Sequence, residues 1–237
     1  MTIRHISFDV WNTLLTGNLE CQPARAEMVA KILPVEPDRA RRIYAETKNH
    51  FDDLAEREGK AHTSAQVYEH FIERMMEGCK LEANWLGFAS LIRKRTEEIF
   101  RKHPPHVLET TVATLRVLHA AGYTISIGSN TNFISGTVLC EVLDEFIPFE
   151  FKVFSDLDGY AKPHPEFFGL ILDKSRSVRT KDQPEGRADL SPSQILHVGD
   201  NLICDGEGAT NAGMEFFYVK GPGDLPKVAE YLGVTPN

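Results

Sequence analysis

The sequence predicts an α/β fold, a doubly wound parallel sheet interrupted after its first strand by a helical insertion. Three observations carry that expectation. Short apolar, β-branched runs stop abruptly at polar residues: Ile3–Phe8 at Asp9, Tyr123–Gly128 at Ser129, and Ile195–Val198 at Gly199-Asp200. From residue 107 onward these runs alternate with helical patterns, as parallel strands joined by crossover helices require. Between Cys21 and His103, by contrast, the pattern is helical almost throughout, with no convincing strand.

Composition narrows the function classes. A chain of 237 residues is long enough for a core with an inserted subdomain. The net charge of −8 argues against a general nucleic-acid or membrane-surface binder, which needs a basic face. It leaves room for local positive charge around a small phosphorylated molecule. No apolar run approaches the ~20 residues of a membrane span, and the opening MTIRHISF enters a strand without a signal-peptide core. Cys21, Cys79, Cys140 and Cys204 are scattered without paired or zinc-type spacing, which reads as reduced thiols in a cytoplasmic protein. A monomer or a homodimer is equally compatible with these features.

In chain order, Pro23 suits a helix's first turn, and a first helix carries Met28, Val29 and Ile32 to Pro34. A second runs from Pro37 to Gly59, with Ile43, Tyr44, Phe51 and Leu54 on one face. Thr63 or Ser64 caps a third, whose Val67, Phe71 and Met75 recur at helical spacing before Gly78. A fourth carries Trp85, Phe88, Leu91 and Ile92 toward Phe100. These stripes bury a common seam, so residues 17–103 are expected to form a helical subdomain, and residues 1–16 and 104–237 the core. The core resumes with a helix over Val107–Ala121, ended by Gly122, and the strand Tyr123–Gly128. A helix from Ile134 to Leu143 leads to a strand at Phe151–Phe154, and Pro165 opens another helix that His164 caps. Residues 175–193 read as a solvated surface loop, polar and punctuated by Pro184, Gly186 and Pro192. Ile195–Val198 and Glu215–Val219 are the last strands, and Leu225–Leu232 is a closing helix.

Asp9, Ser129, Lys162 and Asp200 each stand at the end of a different strand or a short loop beyond it. In a parallel sheet those ends share one edge, where open α/β sheets hold their ligands. A lone Asp there is more often a turn cap; four such stations make a site. Hard carboxylate oxygens bind Mg²⁺, while a lysine, a hydroxyl and N–H groups at helix starts hold phosphate oxygens. A carboxylate facing a metal-held phosphoryl group can attack it, giving an aspartyl-phosphate that water cleaves.

With these motifs in view, the chain resembles the haloacid dehalogenase superfamily, mostly phosphatases with a Rossmann-like core, over Ile3–Leu15 and roughly Val107–Val219. The helical block is similar to the family's C1-type cap. Phe8-Asp9 through Thr13-Leu14 resembles the first motif, which implies Asp9 as nucleophile and metal ligand, with Val10, Trp11 and Thr13 around the phosphoryl group. Ile127-Gly128-Ser129-Asn130-Thr131 resembles the second, which implies phosphoryl binding by Ser129 and Asn130. Ser155-Asp156 through Lys162-Pro163 is similar to the third, with Lys162 balancing charge between Asp9 and phosphate. Val198-Gly199-Asp200 through Asp205 resembles the fourth, which implies Asp200 as a Mg²⁺ ligand and Asp205 as a supporting carboxylate.

One departure matters. The family's phosphatases carry a second Asp, the general acid/base, two residues after the nucleophile; here that position is Trp11. Its main-chain carbonyl still suits Mg²⁺, and its side chain is expected at the mouth between core and cap. An indole donates no proton to a leaving alkoxide, a loss of about 10²–10⁴-fold for alkyl phosphates. Metal-independent 2-haloacid dehalogenases of the family also place an aromatic residue there. They dispense with the fourth motif's metal-binding Asp, however, and their cap arginine has its counterparts here in Arg39, Arg41 and Arg42, which read as a solvated face. Three readings stay open: a Mg²⁺-dependent phosphatase of a small phosphorylated metabolite, a 2-haloacid dehalogenase, and a phosphonate hydrolase or weakly active binding protein. His50, His62 and Tyr44 are cap residues that could face substrate, and Cys204 reads as a small buried hydrophobe.

Overall fold

In the computed structural model, which describes residues 2–77, 85–146, 148–180 and 183–234, the chain opens with β1 (His5–Phe8) and a two-residue strand β2 (Leu15–Thr16). Four helices follow: α1 (Cys21–Ile32), α2 (Pro37–Glu58), α3 (Ser64–Met76) and α4 (Trp85–Lys102). Then come β3 (His106–Val107), α5 (Glu109–Ala120), β4 (Thr124–Ser129), α6 (Gly136–Leu143) and β5 (Lys152–Phe154). The last third holds α7 (Ser155–Asp158), α8 (Pro165–Ser177), β6 (Ile195–Gly199), a π-helical turn over Leu202–Glu207, α9 (Gly208–Asn211), β7 (Glu215–Tyr218) and α10 (Pro226–Tyr231).

The sheet order is β5-β4-β1-β6-β7, and every pair is parallel. The chain therefore winds outward from β1 in one direction and then in the other, the doubly wound α/β arrangement the sequence predicts. β1 is buried at every residue. Ile6 and Phe8 join Leu115, Leu118, Leu139 and Val228 of α5, α6 and α10 in the core on one face of the sheet. Phe167, Phe168, Ile171 and Ala209 of α8 and α9 pack with Val153 and Ile195 in the core on the other. Burial of each large side chain contributes roughly 1.5–3 kcal/mol relative to exposure. Helices α1–α4 bury their stripes in a third cluster around Ile43, Phe71, Met75 and Ile92, which also takes in Phe133 from the loop after β4. Leu91 departs from that expectation and is exposed, because α4 presents Ala89 and Ile92 to that cluster. Gly78, Cys79 and the Trp85 side chain lie outside the described residues. Among the described residues, no helix is long and apolar enough to cross a membrane.

Capping follows the sequence closely. Thr63 and Gln66 form a capping box at α3, and the His164 side chain accepts from the Glu166 N–H at α8. Gly122 takes φ 92°, the left-handed conformation glycine adopts without a Cβ penalty. Two features were not legible. Residues flanking the helical block pair antiparallel, Leu15 with Val107 and Thr16 with His106, where Val107 was expected in a helix. Two-residue strands leave no periodicity to read. Residues 175–193 are also not simply a solvated loop. Leu190 is fully buried, and the buried Arg187 donates to the Arg4 carbonyl and to Thr124 Oγ1. A polar segment enters the interior here because its guanidinium finds acceptors there.

Arg187 is one end of a buried polar network. His5 lies between Thr124 Oγ1 and Ser126 Oγ, each 2.8 Å from a ring nitrogen, and stacks on Phe151. Burial, and then the nearby Arg187 charge, pushes its pKa down from 6.5 to about 3. The unfolded chain binds a proton over that window and the folded chain does not, so stability falls as pH falls from 6.5 toward 3, by about 1.4 kcal/mol per unit at the steepest. Urea unfolding at a series of pH values should show a shallower loss for His5→Gln than for the wild type. Parallel curves would exclude a neutral buried His5.

Candidate active site

The register of the central strands builds one end of the site. Phe8 pairs with Ile127 and Val198, so the next step along the sheet brings Asp9 beside Gly128 and Gly199. The Asp9 N–H donates to the Val198 carbonyl at 2.8 Å, which extends the ladder one residue beyond β1. The chain then turns sharply through Asn12 at φ 56°, a conformation asparagine tolerates better than most residues. That turn brings Asn12 Nδ2 to 3.2 Å from an Asp200 oxygen. At Gly199 a Cβ would lie 2.2 Å from the Asp205 carboxyl, so the absent side chain leaves the space Asp205 occupies.

Lys162 joins these elements. Its ammonium donates to Asp9 Oδ1 at 2.7 Å, to Asp205 Oδ1 at 2.6 Å and to the Gly128 carbonyl at 2.8 Å, and only 2 % of the side chain is exposed. All three of its hydrogens are thereby used. Its backbone is pinned as well, because Asn130 accepts from the Lys162 N–H at 2.7 Å and donates to the Lys162 carbonyl at 2.9 Å.

Burial alone would discharge Lys162, but Asp205 and Asp9 hold its pKa above the usual lysine range. Burial also opposes charge on Asp205, yet Lys162 and a hydrogen bond from His197 keep it well below the usual carboxylate range. Asp9 goes the other way: burial and the Asp205 charge raise its pKa despite Lys162. Burial and the Asp9 charge push Asp200 up to about 6. Three carboxylates thus face one ammonium, and the excess negative charge has no cation to balance it among the described residues.

Asp9, Asp200 and Asp205 bring carboxylate oxygens within 4.8 Å of one another, a donor set that fits a hard divalent cation. Asp205 is already engaged at both oxygens, by Lys162 and His197 at Oδ1 and by the Asn201 N–H at Oδ2. The oxygens left for a cation belong to Asp9 and Asp200.

A cavity of about 540 Å³ opens above this cluster, lined by Asp9, Trp11, Asn130, Lys162 and Asp200 on the sheet side. Trp11 is half-buried and lines it, edge-on to Phe100 of α4 with ring centres 6.4 Å apart. Ser129 is fully buried, does not line the cavity, and donates to the Asn130 carbonyl at 3.2 Å. Val10 is core, and Thr13 is buried with its hydroxyl unpartnered among the described residues. Cys204 lines the cavity, with burial raising its pKa to about 12, an inert thiol rather than a reactive one.

On the helical side, Tyr44 lines the cavity but His50 and His62 do not; those two pack around Phe51. Arg41 and Arg42 pair with Asp38 and Glu46 on the surface, and Arg39 donates to the Met75 and Glu77 carbonyls. Sequence reasoning missed Arg25, which does reach the cavity. Its signal was a cation one helical turn after the buried Cys21. His197 was missed too, because a histidine within an apolar run reads as core.

A family model described as haloacid dehalogenase-like hydrolase matches residues 3–213. A glyceraldehyde 3-phosphate phosphatase from Pyrococcus furiosus is 25 % identical over 226 residues, covering 92 % of this chain and 81 % of that protein. Among solved structures, the HAD hydrolase YfnB from Bacillus subtilis, bound to magnesium, superposes with a TM-score of 0.69 at 17 % identity, covering 99 % and 100 % of the two chains. A 2-haloacid dehalogenase from Pseudomonas syringae superposes at 0.62 with 18 % identity, covering 97 % and 99 %. At these identities the structural likeness speaks for the fold. The match to the family model spans most of the chain and both ends of the charged cluster: this protein belongs to the haloacid dehalogenase-like hydrolases.

Proposed function

We propose that this hydrolase is a Mg²⁺-dependent phosphatase of a small phosphorylated metabolite, working through an aspartyl-phosphate on Asp9. The observation that carries the reading is the buried Asp9–Lys162 pair, 2.7 Å apart, at the floor of a cavity that Asp200 also lines. The phosphatase similar over 92 % of this chain acts on a three-carbon phosphate, as its name states. In this reading residues 17–103 act as a cap over a core of residues 1–16 and 104–237.

Asp9 attacks the phosphorus, the bond to the leaving oxygen breaks, and water then hydrolyses the acyl phosphate, returning Asp9 and releasing phosphate. Lys162 holds Asp9 aimed into the cavity and offsets charge as it builds on the phosphoryl oxygens. Asn130 fixes the Lys162 backbone, and the N–H groups of Val10, Trp11 and Thr13 would donate to the phosphoryl group; Ser129, which does not line the cavity, would join them only by turning its hydroxyl from the Asn130 carbonyl. Asp9, Asp200 and the Trp11 carbonyl would hold Mg²⁺, with Asp205 supporting from behind Lys162. Bound there, the ion supplies the positive charge that a dianionic phosphoryl group needs beside three carboxylates. Against the dehalogenase reading stand both carboxylates of the fourth motif, Asp200 and Asp205, beside Asp9; the helical layer does carry an arginine into the cavity, Arg25 rather than Arg39, Arg41 or Arg42.

Asp9→Asn should keep the fold and abolish turnover, because an amide neither attacks phosphorus nor ligates the metal as a carboxylate does. Phosphate release at the wild-type rate from that variant would sink the mechanism. EDTA should stop hydrolysis and Mg²⁺ restore it. Halide release from 2-chloropropionate that persists in EDTA would instead identify a dehalogenase. Trp11→Asp should raise the ratio of alkyl- to aryl-phosphate hydrolysis, by up to the ~10²–10⁴-fold that proton donation supplies. Misplacing Asp9 would lower both rates together, so the ratio isolates the proton. An unchanged ratio in a folded variant with wild-type Mg²⁺ affinity would assign Trp11 to shaping the cavity alone.

A further inference from the structure

The cavity above Asp9 extends well past the room a phosphoryl group takes up, and its far wall carries a charge the proposed chemistry leaves unused. Arg25, on α1, places its guanidinium carbon 3.8 Å from the centre of the Tyr44 ring and donates from Nη1 to the Tyr44 hydroxyl at 2.5 Å. Tyr44 stacks in turn on Phe133, ring centres 3.8 Å apart. Phe133 lies four residues beyond Ser129, so this stack seats the guanidinium against the loop that carries the second motif. Both Arg25 and Tyr44 line the same cavity as Asp9.

The hydrogen-bond inventory of this pair is incomplete on the acceptor side. A guanidinium has five N–H donors and accepts nothing. Among the described residues Arg25 uses one, its Nε is buried without a partner, and it pairs with no carboxylate. Arg41, Arg42, Arg74 and Arg95 of the same helical layer all pair with carboxylates. The Tyr44 oxygen accepts from Arg25, which leaves its own hydrogen to donate. Burial pushes the Tyr44 pKa up to about 12, so that hydrogen stays on at neutral pH. The acidic residues on this part of the wall are already engaged, Asp52 by Lys48 and Asn132, and Glu56 by Asn201. What the pair lacks is a group that only accepts.

We propose that Arg25 and Tyr44 form an anion subsite, receiving a second anionic group of the substrate, a carboxylate or a second phosphoryl, while the scissile phosphoryl sits at Asp9. The proposal rests on the phosphatase reading for the second half of that sentence. It narrows the substrate class to phosphate esters bearing another anion, since a neutral substrate would leave a buried N–H unpaired. The guanidinium fork suits either anion by paired hydrogen bonds.

The test compares two matched pairs of esters. The first is 3-phosphoglycerate against glycerol 3-phosphate, which differ only in carboxylate against hydroxymethyl. The second is the bisphosphate against the monophosphate of propane-1,3-diol. Wild type should favour the anionic member of at least one pair in kcat/KM by about 10–100-fold, the range of charged hydrogen bonds, and the pair that shows it identifies the anion. In Arg25→Met that ratio should collapse toward unity, and in Tyr44→Phe it should fall part of the way. Arg25→Gln serves in place of Arg25→Met should the latter not melt cooperatively. A wild type without preference in either pair, or a preference that survives the loss of Arg25, overturns the subsite. Should the wild type hydrolyse none of the four, calorimetric binding of the same compounds decides the subsite, and Mg²⁺-dependent hydrolysis of an aryl phosphate decides the phosphatase reading separately. Tighter binding of an anionic member that vanishes in Arg25→Met supports the subsite; equal binding overturns it.

Discussion

One ammonium group ties this structure to its chemistry. Lys162 spends every hydrogen it has, on a carboxylate after β1, a carbonyl in β4 and a carboxylate beyond β6. Three neighbouring segments of the sheet edge therefore meet at a single buried nitrogen. Burying that charge would be costly alone, and removing either carboxylate would leave it partly unpaired, an outcome worth several kcal/mol in comparable interiors. The arrangement also divides labour between two aspartates that look alike in sequence. Asp205 is saturated by donors and serves as the fixed counter-charge, whereas Asp9, which lines the cavity, keeps one oxygen without a partner among the described residues.

The second constraint is the junction between sheet and helices. It is aromatic: Trp11 meets Phe100, and Phe133 leaves the sheet side to join the core of α1–α4 beside Tyr44, Tyr68 and Phe71. Apolar contact is non-directional, so these rings close the cavity's walls while leaving its polar groups to set orientation.

Most of the sheet and most of the charged cluster were legible in the sequence, for a common reason. A buried parallel strand is mostly apolar, so the charged residue that ends it is conspicuous, and Asp9 and Asp200 announced themselves that way. The convergence of Lys162 followed from topology alone. What stayed hidden depended on side chains finding partners far away in sequence. Nothing near Arg187 says that its acceptors lie at Arg4 and Thr124, and nothing near Arg25 says that a tyrosine 19 residues on will seat it. The short β2–β3 pairing was hidden by its brevity. Ser129 shows a different limit, since its position was readable but the direction of its hydroxyl was not.

That short pairing has a mechanical meaning. The chain crosses between sheet and helical layer twice, and the two crossings are laced together: β2 with β3, Asn18 with the Pro104 carbonyl, and Glu20 with His103. Two independent tethers would let the helical layer twist, slide or lift. Two strands zipped side by side behave as a single strap with one soft axis across its width. The helices could not shift at one crossing without carrying the other with them.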